Sequence, residues 1–587
     1  MRDLLRHPRR ARRVALAAAA TLAAPAALAF TIETPDPDLK VRFDLTPKAS
    51  LGYRLKDPSP ALTRMDVAVD PGIVNEDDGD HNFKKGLVSR RFDLLAELDI
   101  ATPVFGGRLS GTAWHDGAYL GRNDYAGTPL FAGGVPLGPV INTANNQPGQ
   151  AQDEFLPATR RQHGRGSELL DAFVFLKGDL GGSKGTVRVG KHTLQWGESL
   201  FFGQNGIANA QGPVDIAKIV SVPGWQFKEV LLPVEQVSGS LRLAEGVQLG
   251  TYVQFKWRKS KLPGVGSYFS NQDYVGGGTV NFGVDPNGAP IVLPVDTSRD
   301  LTPKNSGQGG VQLRWTPHGA EYEFGFYAVQ YHDKTPSGLV FDFVNGNVHV
   351  AYASKIRAYG ASVTSSIGQL NWALEGSLRQ NTPLNSDPAV VGGPSPIATC
   401  DTSDSTPCYA VGDTAHLQLS GIYVLQPSAL WGGGALLGEL AYNRRLKIKR
   451  DIFALGPGGT SAGIGGLDPN TTKGAFALRL LFEPSYFQVM PGLDLAVPIG
   501  LGYNFGGRSS AIGNFAGGVS DGGDWTIGLK AKYQNDWNAS LTYNDFFGKA
   551  KTFTETLVPG AGSPRQLTFG QSLRDRAYVA FSLSRTF

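Results

Sequence analysis

Two stretches of the chain carry residue types that do chemistry elsewhere. Gly185-Thr-Val-Arg-Val-Gly190-Lys191-His192 follows the spacing by which backbone amides and a lysine cradle phosphate. His192 stands where that loop needs Ser or Thr, and the interior TVRV alternates as a strand does. Gly459-Thr-Ser461-Ala-Gly463 spells G-x-S-x-G, a nucleophile turn that requires a strand before it and a helix after it. Its surroundings, ALGPGGTSAGIGGLDP, offer no helix, so a flexible loop is expected. His81, His115, His163, His192, His318, His332, His349 and His416 are scattered and form no nucleophile–base motif. No catalytic residue is assigned, and no enzymatic activity is expected.

Ligand-bearing residues cluster twice more. Asn75-Glu-Asp77-Asp78-Gly-Asp80-His81 is acidic but lacks the D-x-D-x-D-G spacing of a calcium loop. A solvated loop is the expectation, with divalent-ion binding near lipopolysaccharide as the other reading. Cys400 and Cys408 lie in ATCDTSDSTPCYA with no histidine nearby. In an exported chain they pair as a disulfide clipping one loop tip, because a zinc site needs more ligands. No metal set and no cofactor are expected.

Export follows from the start of the chain. MRDLLRHPRRARR is basic, VALAAAATLAAPAALA is apolar, and Ala27-Leu28-Ala29 is a cleavage site, so residues 1–29 read as a signal peptide removed before Phe30. Removing them takes six arginines and one aspartate, leaving 49 basic and 50 acidic residues. The net charge becomes −1, and nothing argues for nucleic-acid binding. The mature chain has no run of 18 apolar residues, so it is either soluble or a membrane barrel.

The elements that must hold these residues are long strands. Leu493, Leu495, Val497, Ile499, Leu501, Tyr503 and Phe505 alternate with Asp494, Ala496, Pro498, Gly500, Gly502 and Asn504. Trp525 to Tyr533, Trp537 to Tyr543, Phe476 to Phe482, Trp372 to Leu378 and Val247 to Trp257 do the same. Runs of about 9–14 residues exceed ordinary sheet strands and suit a tilted strand crossing a bilayer. Short turns at 102–107, 179–185, 244–246, 317–321, 367–370, 427–434, 488–492 and 534–536 alternate with long polar segments. That asymmetry predicts a transmembrane antiparallel β-barrel of about 18 strands (16–20), with short periplasmic turns and long extracellular loops. Residues 30–587 form its single domain. In the final strand Val579, Phe581 and Leu583 share one face, continued by Phe587, as a seam strand and assembly signal would require. Arg585 departs from that apolar register.

One long segment differs from the others. Residues 197–226, GESLFFGQNGIANAQGPVDIAKIVSVPGWQ, follow the fifth strand and carry only Glu198, Asp215 and Lys218 as charges. A strand is expected to resume near Phe227. Folding inward would shelter Phe201, Phe202 and Ile207 and place Gln204, Asn205, Glu198 and Asp215 across the lumen as a constriction. Arg188, Arg242, Lys256, Arg314, Glu375, Arg379 and Glu439 fall on the inward register of their strands. Both signs are present, so the pore is not expected to pass one ion sign alone.

VGKHTLQWGESLFF (189–202), GSYFSNQDYVGGG (266–278), YAVQYHDKTPSG (327–338), PGLDLAVPIGLGYN (491–504) and the mature start FTIETPD resemble a Gram-negative family catalogued as domain of unknown function 1302. The resemblance covers essentially the whole mature chain. It implies a large outer-membrane barrel, movement of hydrophobic or lipid-like compounds, and a periplasmic or lipoprotein partner. It transfers no catalytic residues. The expected function is an outer-membrane channel passing small hydrophobic or amphipathic compounds passively. The alternative is a non-conducting scaffold that docks a periplasmic lipid-transfer or efflux partner. Outer-membrane lipid, lipopolysaccharide and the barrel-insertion machinery are the other expected partners.

Overall fold

The computed structural model describes residues 30–587 except 33, 67–72, 133, 141–150, 181, 285–289, 393–396, 398, 403–404, 453–465 and 557–564. Residues 1–29 and the Ser461 motif therefore lie outside the described residues. Eighteen antiparallel strands close into one barrel. They begin with β1 Lys40–Arg54, β2 Gly86–Ala101, β3 Phe105–Asp116, β4 Arg165–Leu180, β5 Ser183–His192 and β6 Val234–Ala244. Next come β7 Val247–Gln254, β8 Gln308–Trp315, β9 Tyr322–Tyr331, β10 Ile356–Ile367, β11 Leu370–Pro383 and β12 Val411–Leu425. The circuit ends with β13 Gly433–Arg450, β14 Gly474–Met490, β15 (Leu493–Ala496 and Ile499–Gly506), β16 Gly522–Tyr533, β17 Trp537–Phe547 and β18 Tyr578–Arg585.

The alternation that makes the strands also decides their two faces. Trp525, Ile527 and Leu529 of β16, Leu417 and Leu419 of β12, and Leu374 and Leu378 of β11 are exposed. Their polar alternates Gln418, Glu375 and Arg379 are buried. A water-soluble sheet does the reverse, so the exposed face is built for lipid and the polar core lies inside the barrel. No helix among the described residues is long and apolar enough to cross a membrane.

Closure joins β18 to β1, from Lys48↔Ser584 to Arg54↔Tyr578. Phe587 extends the seam, its N–H donating to Leu45 O (3.0 Å) and its carbonyl accepting from Leu45 N (3.2 Å). The short strand Phe30–Ile32 continues along the same edge of β1, pairing with Val41 to Phe43. Arg585 lies over the rings of Trp537 (5.2 Å) and Phe587 (4.4 Å), so the cation on the apolar register is covered by aromatic faces.

Three local readings need correction. β15 is not continuous: it breaks at Val497 and Pro498, because proline has no ladder donor. Val497 N–H to Pro484 O (3.0 Å) and Gly528 N–H to Pro498 O (2.9 Å) keep the wall joined there. β7 stops at Gln254, so Lys256 lies beyond the lumenal ladder, exposed, 3.9 Å from Glu235. The chain does not resume a strand at Phe227; Phe227–Val230 is a short helix and β6 begins at Val234. The phosphate-loop-like stretch lies in β5, its backbone paired with β4 and β6.

The long loops pack into an external cap. Tyr274 and Val280 meet Phe341, Val348 and Val390 in one apolar cluster. Arg576 and Arg54 both hold Asp80, at 3.0 and 2.9 Å, and Arg576 also donates to the carbonyls of Tyr268 and Ser270. Cys400 and Cys408 are bonded and clip a short turn of the cap: Cys408 is fully buried beside Val340 and Tyr409, while Asp401 and Ser405 of the turn are exposed. The acidic stretch is not solvated, since Glu76, Asp77, Asp78 and Asp80 are all buried.

Candidate functional site

Residues 193–233 join β5 to β6 by crossing the inside of the barrel. The crossing begins at Gly197, whose φ of +90° favours glycine and whose absent side chain leaves room for the Glu375 carboxylate. From there the chain offers backbone donors with no partner of their own. Glu375 of β11 accepts from Glu198 N–H and Ile207 N–H, both at 2.7 Å. Glu439 of β13 accepts from Ser199 Oγ (2.9 Å), Leu200 N–H (3.1 Å), Phe202 N–H (2.9 Å) and Phe201 N–H. Arg379 donates to the carbonyls of Asn205 (2.7 Å) and Gly206 (2.8 Å). Asn205 completes the lattice through Leu417 O (3.1 Å) and the His416 ring (3.1 Å). A buried carboxylate is costly unless several donors meet it. Here wall charge and loop backbone satisfy each other.

Apolar packing fixes the same limb. Ile207 is fully buried against Trp196, Tyr252, Tyr327 and Ile356. Its Cδ1 would lie 2.7 Å from a Cβ on Gly360, so any larger residue at that point of β10 would force the Ile207 side chain to shift. Phe202 packs on Ala441, Ala475 and Ala477, 5.9 Å from the Phe515 ring. Phe201 and Gln204 are half-buried.

The return limb touches the opposite arc of wall. Asp215 caps the short helix Ile216–Ser221, accepting from Lys218 N–H at 2.8 Å, and pairs with Lys261 at 3.3 Å. Lys218 lies 3.9 Å from Glu229, which also faces Lys48 of β1 at 3.5 Å. Asp215 and Lys218 thus brace the loop. Lys228 bonds Glu97 of β2, and Gly224 lies against Ser582 of β18. Between these two contacts inside the barrel lie Trp225 and Phe227, with 36% and 53% of their surfaces exposed. Sequence reasoning missed both; its signal was the sparse charge of GWQF.

Of the other residues on the inward register, Arg314 reaches this crossing. Arg314 of β8 bonds Glu323 and lies 3.8 Å from Glu198. Arg188 of β5 sits over the Phe173 ring at 4.7 Å, and Arg242 of β6 is exposed. Beside the first limb is a cavity of about 470 Å³ lined by Glu198, Leu200, Glu323, Thr364, Asn371 and Ser420.

A lipid-facing closed barrel with its own loop stitched across the lumen defines an outer-membrane-type β-barrel. The chain belongs to the family described as Protein of unknown function (DUF1302), whose match spans residues 10–587. The curated proteins contain no match to it. Among solved structures it is similar to OccAB4 of Acinetobacter baumannii, with 9% identity over 94% of this chain and 100% of that one and a TM-score of 0.39. It is also similar to OpdK of Pseudomonas aeruginosa, solved with vanillate, at 10% identity over 93% and 98% with a TM-score of 0.37. OmpT of Vibrio cholerae gives 9% identity over 95% and 99% with a TM-score of 0.34.

Proposed function

We propose that the protein is a passive outer-membrane channel for small hydrophobic or amphipathic compounds, with residues 193–233 as its constriction. The observation that carries this reading is the pair Trp225 and Phe227, exposed inside the barrel rather than in its core. Exposed aromatic surface in a confined, partly apolar lumen favours solutes with apolar faces over ions or sugars. The 470 Å³ cavity is of small-molecule size and offers carboxylate and hydroxyl groups to a polar end. Proteoliposomes test the idea. The Trp225→Ala/Phe227→Ala protein should pass an uncharged aromatic solute several-fold more slowly than wild type, while a sugar of similar size passes no more slowly. Equal aromatic flux would remove the selectivity element, and no flux in the wild type would favour a non-conducting scaffold.

A further inference from the structure

The cap contains a second site, unrelated to the lumen. Asp77 and Asp78 come from the β1–β2 loop and Asp273 from the β7–β8 loop, nearly 200 residues away. All three are buried, and one carboxylate oxygen from each lies within 4.8 Å of the other two. Asp77 Oδ2 is satisfied by Thr128 Oγ1 (2.9 Å) and His81 Nε2 (3.1 Å). Asp273 Oδ2 receives Asp78 N–H at 3.3 Å. The remaining oxygens, Oδ1 of Asp77 and Oδ1 of Asp273, are fully buried and receive no hydrogen bond among the described residues. Neighbouring charge offsets the group only in part. His81 pairs with Asp77 alone, Arg576 is bonded to Asp80, and Glu76 adds another carboxylate, which accepts from Thr554.

We infer that Asp77, Asp78 and Asp273 form a divalent-cation site of the calcium class that clamps two external loops together. Three hard oxygen donors suit Ca²⁺ or Mg²⁺, and their 4.8 Å span is what a sphere of Ca–O bonds of about 2.4 Å encloses. Octahedral Mg²⁺, at about 2.1 Å, fits the span less well. A cation supplies what the unbonded oxygens lack and removes the repulsion that burial intensifies. The linkage is tertiary: without the ion, the two loops hold like charges against each other.

The test uses the full-length barrel in detergent, stripped with EDTA and titrated with Tb³⁺, whose luminescence nearby tyrosines sensitise. Tyr125 has its ring 6.1 Å from that of His81, the partner of Asp77. Ca²⁺ should displace the Tb³⁺, and Asp273→Asn should weaken Ca²⁺ competition at least tenfold while the barrel stays heat-modifiable. Asp77→Asn, which keeps a Thr128 partner, should do the same. For a dissociation constant of about 10⁻⁴ M, 1 mM Ca²⁺ should slow proteolysis after Lys84 or Lys85 about tenfold in wild type alone. Competition and protection unchanged in both variants would overturn the site. So would wild-type loops that ignore Ca²⁺ but tighten on acidification, which would mean shared protons instead of a metal.

Discussion

Glu439→Gln is the sharpest probe of the inward crossing. The carboxylate accepts from four donors, Ser199 Oγ and the N–H groups of Leu200, Phe201 and Phe202. Three of these, the N–H groups, meet one oxygen, Oε2, and the hydroxyl meets Oε1. The amide keeps its oxygen at the three N–H groups and turns its nitrogen to Ser199 Oγ, which accepts, so the contacts survive but lose their charge. A hydrogen bond to a charged group contributes about 1.5–3 kcal/mol and a neutral one about 0.5–1.5 kcal/mol. Three bonds weakened by about 1 kcal/mol each remove about 3 kcal/mol. That raises the population of a released 199–202 limb by roughly a hundredfold. Glu375 and Arg379 still hold residues 198 and 205–207, so the loop should loosen locally without leaving the lumen. In planar bilayers the variant should show added current noise and higher-conductance substates. Glu375→Gln should do likewise, and the double variant should depart from additivity because the two carboxylates anchor one short backbone stretch. Wild-type noise and conductance in a correctly folded Glu439→Gln barrel would refute the anchoring argument.

Two further outcomes are expected. Removing Phe587 deletes both hydrogen bonds to Leu45 and the ring beneath Arg585, so heat-modifiable barrel should accumulate to a lower level; wild-type levels would show that β18 closes without it. Burial and the Asp80 charge raise Asp575 to about 7 beside Arg54 and Arg576. An acid raised above its unfolded value of about 3.9 adds stability that is fully present below that pH and lost as pH rises through about 7. Protease resistance of residues 548–577 should follow that profile and flatten in Asp575→Asn; an identical profile in the variant would rule Asp575 out.

What the sequence determined alone is everything that depends on local period. Alternation marks the strands and their two faces, because successive side chains of a strand point to opposite sides. The contrast of short and long connections gives barrel topology and strand number, and the sparse charge of 197–226 marks the segment that goes inside. Local pattern could not rank the inward charges. Glu375, Glu439 and Glu323 look alike along their strands, yet the first two hold the crossing while the third pairs with Arg314. Lys256 continues an alternating run whose strand has already ended. The acidic stretch reads as solvated because nothing within 75–81 announces Asp273, Thr128 or Arg576. These contacts join residues separated by about 50 to 500 positions, and only closure of the barrel and packing of its loops brings them together.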